Sequence, residues 1–377
     1  MLEPHAAAGA LTPLETALAG LLEGLAPVEP ELVSLADAVG CVASDRQEEL
    51  PPLPPANRAE IDGWAFRSLD LTGSSAFSPL PLAAPPVWVE AGETLPEGCD
   101  CVLDPSLVER AGAHWQAIGE AAPGQGVRRA GEDFAAGRPL LEAGRRIAAI
   151  DLLLARSHGV DALSVRRPVV RIVDVASGAG GPTAQLVLDW LSSQGAYCLP
   201  VEPCDRDAPS IAKALRSGEA DLVVLVGGTG AGKSDETAQA LAADGTLIAH
   251  GIALSPGQTT AVARAGKRLV VALPGLPGQA FGACLALVDP VLRRLSAIAA
   301  PRPLALPLAR KITSTVGMAE VALVRRHDDG WMPLAVGDLP LGALSAADAW
   351  LLVPAASEGH SAGSVVGAFR LREKALA

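Results

Sequence analysis

The sequence predicts a multidomain protein of the α/β plus β class: a parallel α/β domain, a β-rich insert ahead of it and a small C-terminal β domain. Three observations predict this. The chain has 377 residues, more than one core usually serves at about 100–200 residues per domain. Between 167 and 298, apolar runs of strand length alternate with stretches of helical spacing, the pattern of βαβ units around a parallel sheet. On either side of that region, short apolar runs separated by Gly and Pro turns replace the alternation, as in small β domains.

Residues 12–25 place Leu14, Ala17, Leu18, Leu21, Leu22 and Leu25 on one helical face behind Thr12-Pro13, a cap and first-turn pair. Residues 35–41 are apolar at helical spacing and stop near Gly40. The run Leu50-Pro51-Pro52-Leu53-Pro54-Pro55 excludes a helix interior and a central strand, because proline fixes φ and lacks an N–H; it predicts a stiff, extended connector. Short strands are expected at 61–67, 86–90, 101–103, 108–109 and 115–118, then a turn-rich exit at 137–144 and a helix at 148–158 with Gly159 in the C-cap position. In the α/β region the strands are expected at 169–175, 197–201, 221–226 and 269–273. The helices are expected at 182–194, 208–215, 233–242 and 278–295, the last kinked at Pro290. A Pro-spaced linker at 301–307 leads to strands at 319–325, 331–335, 350–353 and 365–372. The expected domains are 28–48 with 138–166 as a linker, 49–137 as the β-rich domain, 10–27 with 167–298 as the α/β domain, and 299–377 as the C-terminal β domain.

Composition narrows the function. Hydrophobic residues make up 49% and charged residues 19%, which excludes a disordered chain. Aromatics are only 3%, so the cores must be aliphatic. The formal charge of −12 repels nucleic-acid phosphates and anionic membranes, yet a helix N-terminus can still bind a small anion against it. The six cysteines form no CxxC and the six histidines do not cluster near them, which argues against a zinc site or a disulfide framework. The uncharged stretch 269–288 has membrane-span length, but Pro274, Gly275, Pro277 and Gly278 break it into a strand, a loop and a helix. Residues 1–25 lack the basic start of a signal peptide and carry Glu3 and Glu15. A cytoplasmic protein with no membrane or nucleic-acid partner is expected.

Gly227-Gly228-Thr229-Gly230-Ala231-Gly232-Lys233-Ser234 follows a strand and matches GxxxxGK[ST], whose backbone N–H groups cradle phosphates while the Lys holds them and the Ser binds Mg²⁺. Asp235 and Glu236 come directly after it, where a nucleotide would bring more negative charge. The other reading is a Gly-rich strand-to-helix turn. Leu273-Pro274-Gly275-Leu276-Pro277-Gly278 marks a second strand end and Ser255-Pro256-Gly257-Gln258 a turn. Asp62, in Glu60-Ile61-Asp62-Gly63-Trp64, Asp133, in Gly131-Glu132-Asp133, and Asp235 are carboxylates able to bind Mg²⁺ or act as bases, or else simple turn formers. Cys99 and Cys101 flank Asp100 without a partner His and read as core packing.

In this order the motifs resemble the MoeA-type molybdopterin molybdotransferases, whose eukaryotic relative is the gephyrin E domain. The carrying residues are Asp62-Gly63-Trp64-Ala65, Leu95-Pro96-Glu97-Gly98 with Asp100, and Gly131-Glu132-Asp133 with Gly137 and Gly144. They continue with the 227–232 glycines and Asp235, Ser255-Pro256-Gly257, Leu273-Pro274-Gly275-Leu276-Pro277, and a tail at 347–363. The resemblance covers about 14–371. It implies an elongated four-domain subunit ending in a small β-barrel, and a homodimer whose site lies at the subunit interface. It implies that the α/β domain is molybdopterin-binding-like. The reaction implied inserts molybdate into adenylylated molybdopterin with Mg²⁺ and releases AMP, for a client molybdoenzyme. It implies catalytic roles for Asp62, Asp133 and Asp235, metal contact at Asp62 and Asp235, and a pterin and phosphate pocket from Gly227, Gly228, Gly230, Gly232, Ser255, Pro256, Gly257, Pro274 and Gly275.

The chain departs from the family pattern at identifiable positions. Ala59 stands where a Ser or Thr is usual, and 176–181 lacks the acidic residues expected after the first α/β strand. Ser255 and Gln258 replace two lysines, and Leu276 replaces an Asn. A missing charge-assisted contact costs about 1.5–3 kcal/mol, so Lys233 or Lys267 would have to substitute. The alternatives are a non-catalytic molybdopterin carrier or assembly scaffold, and a P-loop NTPase. Pterin binding without AMP release would mark the first; nucleotide hydrolysis that needs Lys233 but not Asp235 would mark the second.

Overall fold

A computed structural model describes residues 10–45, 49–175, 181–232, 234–266 and 268–372. Lys233, Lys267 and the 176–180 stretch lie outside the described residues. The chain divides into two compact units, Met1–Arg46 with Glu142–Ala149 and Ala162–Ala377, and Gln47–Leu141 with Ile150–Asp161.

The larger unit is built around a sheet of seven described strands. Its elements are β1 (Val169–Asp174), α1 (Pro182–Ser193), β2 (Tyr197–Cys198), α2 (Ala208–Arg216), β3 (Leu222–Val226), α3 (Thr237–Asp244), β4 (Thr246–His250), β5 (Ala261–Ala265), β6 (Arg268–Leu273) and α4 (Pro277–Ala283). The spatial order is β2-β1-β3-β6-β5-β4, with Glu202–Pro203 also on β1. Strands β2, β1, β3 and β6 run parallel, whereas β5 and β4 run antiparallel. The sheet is therefore mixed, a correction to the all-parallel expectation. The two antiparallel strands carry Thr, Ala, His and Arg rather than long Val/Ile runs, so they gave no strong strand signal.

Strand alternation feeds two cores. Val170, Ile172, Leu222, Val224, Leu269 and Val271 face the helix at Leu14–Leu22 and α1. Val173, Val223, Leu225, Val270 and Ala272 face α2 and α3 through Ile211, Leu215 and Leu241. Burial on both faces is why these strands read as nearly continuous apolar runs. Helix α3 starts at Thr237, later than the expected 233. Beyond α4, a widened π-turn at Cys284–Val288 leads into a helix at Asp289–Ser296. The helical path thus passes Pro290, because the wider turn accommodates a residue that cannot donate to the carbonyl four positions back.

The C-terminal part of this unit is a second sheet. The strand Leu254–Ser255 pairs with β8 (Ala319–His327), followed by β10 (Ala349–Val353), β11 (Val365–Arg370) and β7 (Leu304–Pro307), with β9 (Gly330–Val336) also on β8. The expected linker at 301–307 therefore contains β7. It sits at the sheet's edge, where proline is tolerated. A small antiparallel sheet joins Glu31–Ser34, Ala162–Arg166 and Val42–Ala43. The expected helix at 35–41 is instead the turn between two of these strands, held by Ser34 Oγ donating to Asp37 Oδ2 at 2.7 Å.

In the smaller unit, Gly63–Phe66 is the central strand between Val87–Val89 and Cys101–Leu103. A second sheet centres His114–Ala117 between Leu80–Pro81 and Val108–Ala111. Trp64 bridges toward both sheets, with ring centroids 5.0 Å from Trp88 and 5.2 Å from Trp115. The proline run is extended, with Leu53 and Phe134 exchanging backbone bonds of 2.9 and 3.1 Å. The helix Asp151–Ser157 ends at Gly159 with φ +70°, the left-handed cap that its sequence predicts.

Candidate functional site

The carboxyl ends of β1, β3 and β6 open onto a cleft of about 610 Å³, the position where parallel α/β sheets take ligands. Its floor is the glycine loop after β3. A Cβ on Gly227 (φ +105°) would sit 2.8 Å from the Val175 carbonyl oxygen, and one on Gly228 (φ +66°) 2.5 Å from Thr237 Oγ1. Both positions therefore require glycine on conformational and steric grounds. Thr237, fully buried at the start of α3, ties the loop down: its hydroxyl donates to the Gly227 carbonyl at 3.1 Å and its N–H to the Gly228 carbonyl at 3.1 Å. Thr229 and Thr259 share a hydroxyl hydrogen bond of 3.1 Å, and His250 Nε2 donates to the Thr229 carbonyl at 3.0 Å.

Asp235 folds back over the same loop. Its Oδ2 accepts the Gly232 N–H at 3.2 Å and lies 2.7 and 2.9 Å from where Cβ atoms of Gly230 and Gly232 would stand. The chain needs four more residues after Gly232 before α3 begins. A nucleotide-binding loop instead aims its glycines straight into a helix N-terminus and keeps the concavity clear for phosphate. The likeness to such a loop is thus one of sequence.

The cleft's other walls are the starts of α1 and α4, each with proline in its first turn. Asp174, at the end of β1 and only 3% exposed, accepts the Gly181 N–H at 2.5 Å, and Thr183 Oγ1 donates to the Gly275 carbonyl at 2.8 Å. Two helix N-termini and glycine-loop N–H groups at one place favour an anion. Leu276, 63% exposed, lines this cleft.

Of the expected pocket residues, Gly227, Gly228, Gly230, Pro274 and Gly275 line the cleft together with Asp235, and Gly232 adjoins it through that carboxylate. Ser255, Pro256 and Gly257 are not among its lining. Leu254 pairs with Ala319 of the C-terminal sheet, which draws Ser255 Oγ onto the Gly337 carbonyl at 2.8 Å and packs Gly257 against Ala283. Asp174, Thr183, Arg206, Thr229 and Thr259 also line the cleft and were missed as site residues. Asp174 had a signal, as a carboxylate ending a buried strand; Arg206 lies in an irregular connection and had none.

The smaller unit has its own cleft of about 1100 Å³, with Arg58, Glu60, Arg128 and Asp133 facing an apolar wall of Ile150 and Leu153. Arg128 meets Asp133 at 2.6 Å, Glu60 at 3.4 Å and Glu132 at 3.6 Å. The hydrogen bond to Asp133, then its charge, holds the guanidinium above its usual pKa. Asp62 is exposed and accepts the Ala91 N–H at 2.7 Å; it is not among the lining of that cleft. Asp62 and Asp133 thus belong to one unit and Asp235 to the other. Gly63 does not make a turn: it begins a strand, and a Cβ there would overlap the Leu103 carbonyl oxygen. Among the described residues no group of three or more His, Cys, Asp or Glu gathers as a metal site, and no helix is long and apolar enough to cross a membrane.

Fold and site together define a multidomain α/β protein whose sheet presents a glycine-lined cleft at its carboxyl end. A family model for the MoeA N-terminal region (domains I and II) matches residues 12–159, and one for a probable molybdopterin binding domain matches 182–294. A molybdopterin molybdenumtransferase of Synechococcus elongatus is 26% identical over 357 residues, 83% of this chain and 88% of that protein. The enzyme of the same name in Haemophilus influenzae is 26% identical over 316 residues, 75% of this chain and 77% of that protein. The molybdopterin biosynthesis MoeA protein of Pyrococcus horikoshii, a solved structure, shares the fold with a TM-score of 0.71 at 22% identity, over 95% of this chain and 99% of that one. The chain belongs to the MoeA-type molybdopterin molybdotransferase family.

Proposed function

We propose that this protein acts in molybdenum cofactor biosynthesis, inserting molybdate into adenylylated molybdopterin and releasing AMP. The observation that carries the proposal is the cleft after β3. Gly227 and Gly228 bring backbone within reach of a phosphate, α1 and α4 point their N-termini at it, and Asp235 stands beside it. In the proposed reaction, water adds to the adenylyl phosphorus, the bond to the pterin phosphate breaks and AMP leaves; the two dithiolene sulfurs then bond molybdenum while two molybdate oxygens leave as water, taking up the two thiol protons and two protons from solvent.

Mg²⁺ keeps several waters and takes one or two carboxylates plus substrate phosphates, so it does not need a dense protein cage. The donors fit that demand. Asp235 spends Oδ2 on Gly232, and exposed Asp62 spends Oδ1 on Ala91, which leaves each an oxygen for a hard cation. Asp62 and Asp235 are therefore the proposed metal contacts, and bound Mg²⁺ would neutralise phosphate charge. Asp133, held by Arg128, is proposed to contact the attacking water or the molybdate.

The same reading supplies a cytoplasmic homodimer whose site is completed by the partner subunit, an elongated subunit, a C-terminal barrel formed by the β7–β11 region, and a client molybdoenzyme. Exposed Leu276 in the cleft and Ser255 turned onto Gly337 favour one second reading, a carrier that binds molybdopterin without chemistry. Incubation with adenylylated molybdopterin, Mg²⁺ and molybdate separates the two. AMP release that depends on molybdate and is lost in Asp235→Ala supports the transferase; retained pterin without AMP supports the carrier.

A further inference from the structure

The segment 255–258 carries no lysine or arginine, and Ser255 is tied to the C-terminal sheet rather than lining the cleft. An anionic ligand in that cleft needs a cation from elsewhere, because the two carboxylates there, Asp174 and Asp235, oppose it. Arg206 is the single Lys or Arg among the described residues that line the cleft. It sits between the strand Glu202–Pro203 and α2. Its neighbours are committed locally: Glu202 pairs with Arg171 at 2.6 Å, and Asp207 caps α2 by accepting the Ser210 N–H at 2.9 Å. The Arg206 guanidinium has no hydrogen bond or ion pair to any described residue. Other arginines of the same domain are engaged: Arg171 with Glu202, Arg216 with Asp244, Arg268 with the Leu215 carbonyl.

We infer that Arg206 recognises the phosphate of the bound pterin, supplying from the α2 side the positive charge that the other described lining residues of the cleft lack. A guanidinium fork suits the role, because it can grip two phosphate oxygens at once. The glycine loop and the N-terminus of α1 then solvate the remaining oxygens. This inference rests on the reading of the cleft as the pterin site.

The test compares binding of molybdopterin and of its enzymatically dephosphorylated form to the full chain, by pterin fluorescence. Arg206→Ala weakens binding of the phosphorylated form by roughly 10- to 100-fold, the worth of one charge-assisted contact, and leaves the dephosphorylated form unchanged. Arg206→Lys recovers part of the loss. Rising salt weakens the wild type more than Arg206→Ala. The unfolding midpoint of Arg206→Ala matches the wild type, since no described partner is lost. Equal binding of the phosphorylated form by wild type and Arg206→Ala would overturn the inference while leaving the pterin site intact. Failure of the wild type to bind either form would instead overturn the pterin reading on which it rests.

Discussion

At the residue scale, the two polar residues of β1 have different fates: Asp174 lines the cleft, whereas Arg171 is structural. Arg171 is 1% exposed in the middle of the sheet. It bonds Glu202 at 2.6 and 3.0 Å, the Ala214 carbonyl at 3.1 Å and Ser217 Oγ at 2.8 Å, so it ties β1 to the end of α2. Arg171→Met removes those donors and leaves carbonyl groups unsatisfied. The expected loss is about 2–4 kcal/mol, read as a lower urea midpoint; an unchanged midpoint would show the network to be dispensable. In the smaller unit, the Ser68 N–H (2.6 Å) and hydroxyl (2.9 Å) both donate to Asp100. The backbone bond first, opposed by partial desolvation and reinforced by the hydroxyl, holds the carboxyl below its usual range. The stability this contributes is present above the unfolded value of about 3.9. It is lost as pH falls through the lower folded value. Asp100→Asn should flatten the acid limb of unfolding followed by fluorescence of Trp64, Trp88 and Trp115; an unaltered limb would count against the assignment. Burial pushes Cys101 up to about 11 and raises fully buried Cys284 as well. Neither should be alkylated by iodoacetamide at pH 8 in the folded protein, whereas urea should expose both.

At the element scale, glycine identity follows from backbone approach. The Asp62-Gly63 pair looks like a turn in sequence, yet Gly63 opens the central strand of its sheet and has no room for a methyl beside Leu103. Gly63→Ala should destabilise the smaller unit by about 1–3 kcal/mol, the usual cost of forcing atoms into a packed site. That is measurable as an earlier thermal transition, and a wild-type transition would mean the strand yields freely. After β3, Gly227→Ala meets the Val175 carbonyl at a left-handed φ. It should abolish pterin retention while the sheet, buried on both faces, stays folded by circular dichroism. The turn at 35–41 and the edge strand β7 show the same dependence on context: apolar spacing over a few residues does not make a helix when both flanks pair in one sheet, and prolines do not forbid a strand at an edge.

At the scale of the whole molecule, the proposed carboxylates divide between two units, Asp62 and Asp133 in one and Asp235 in the other. The proposed homodimer, with its site completed by the partner subunit, would use both. Light scattering should give twice the chain mass, and mixing an inactive Asp62→Ala chain with an inactive Asp235→Ala chain should restore part of the AMP release. A monomer, or no recovery on mixing, would sink the partner-completed site.

The strands β1, β3 and β6 were legible because strands buried on both faces must be apolar at every position. Helix α2 and the cap at Gly159 were legible because helical spacing and left-handed φ are local demands. The glycines of the β3 loop and the proline loop after β6 announced a ligand site for the same reason: the backbone conformation there excludes a side chain. By itself the sequence therefore determined the α/β order, the family and the place of the cleft. Tertiary structure alone decided which side chains reach that cleft. Ser255 left it because Leu254 pairs with a strand 65 residues further on, Asp235 filled the glycine loop, and Arg206 entered from an irregular connection. Such neighbours depend on the order of strands in a sheet and the direction of each loop. Residue spacing records neither.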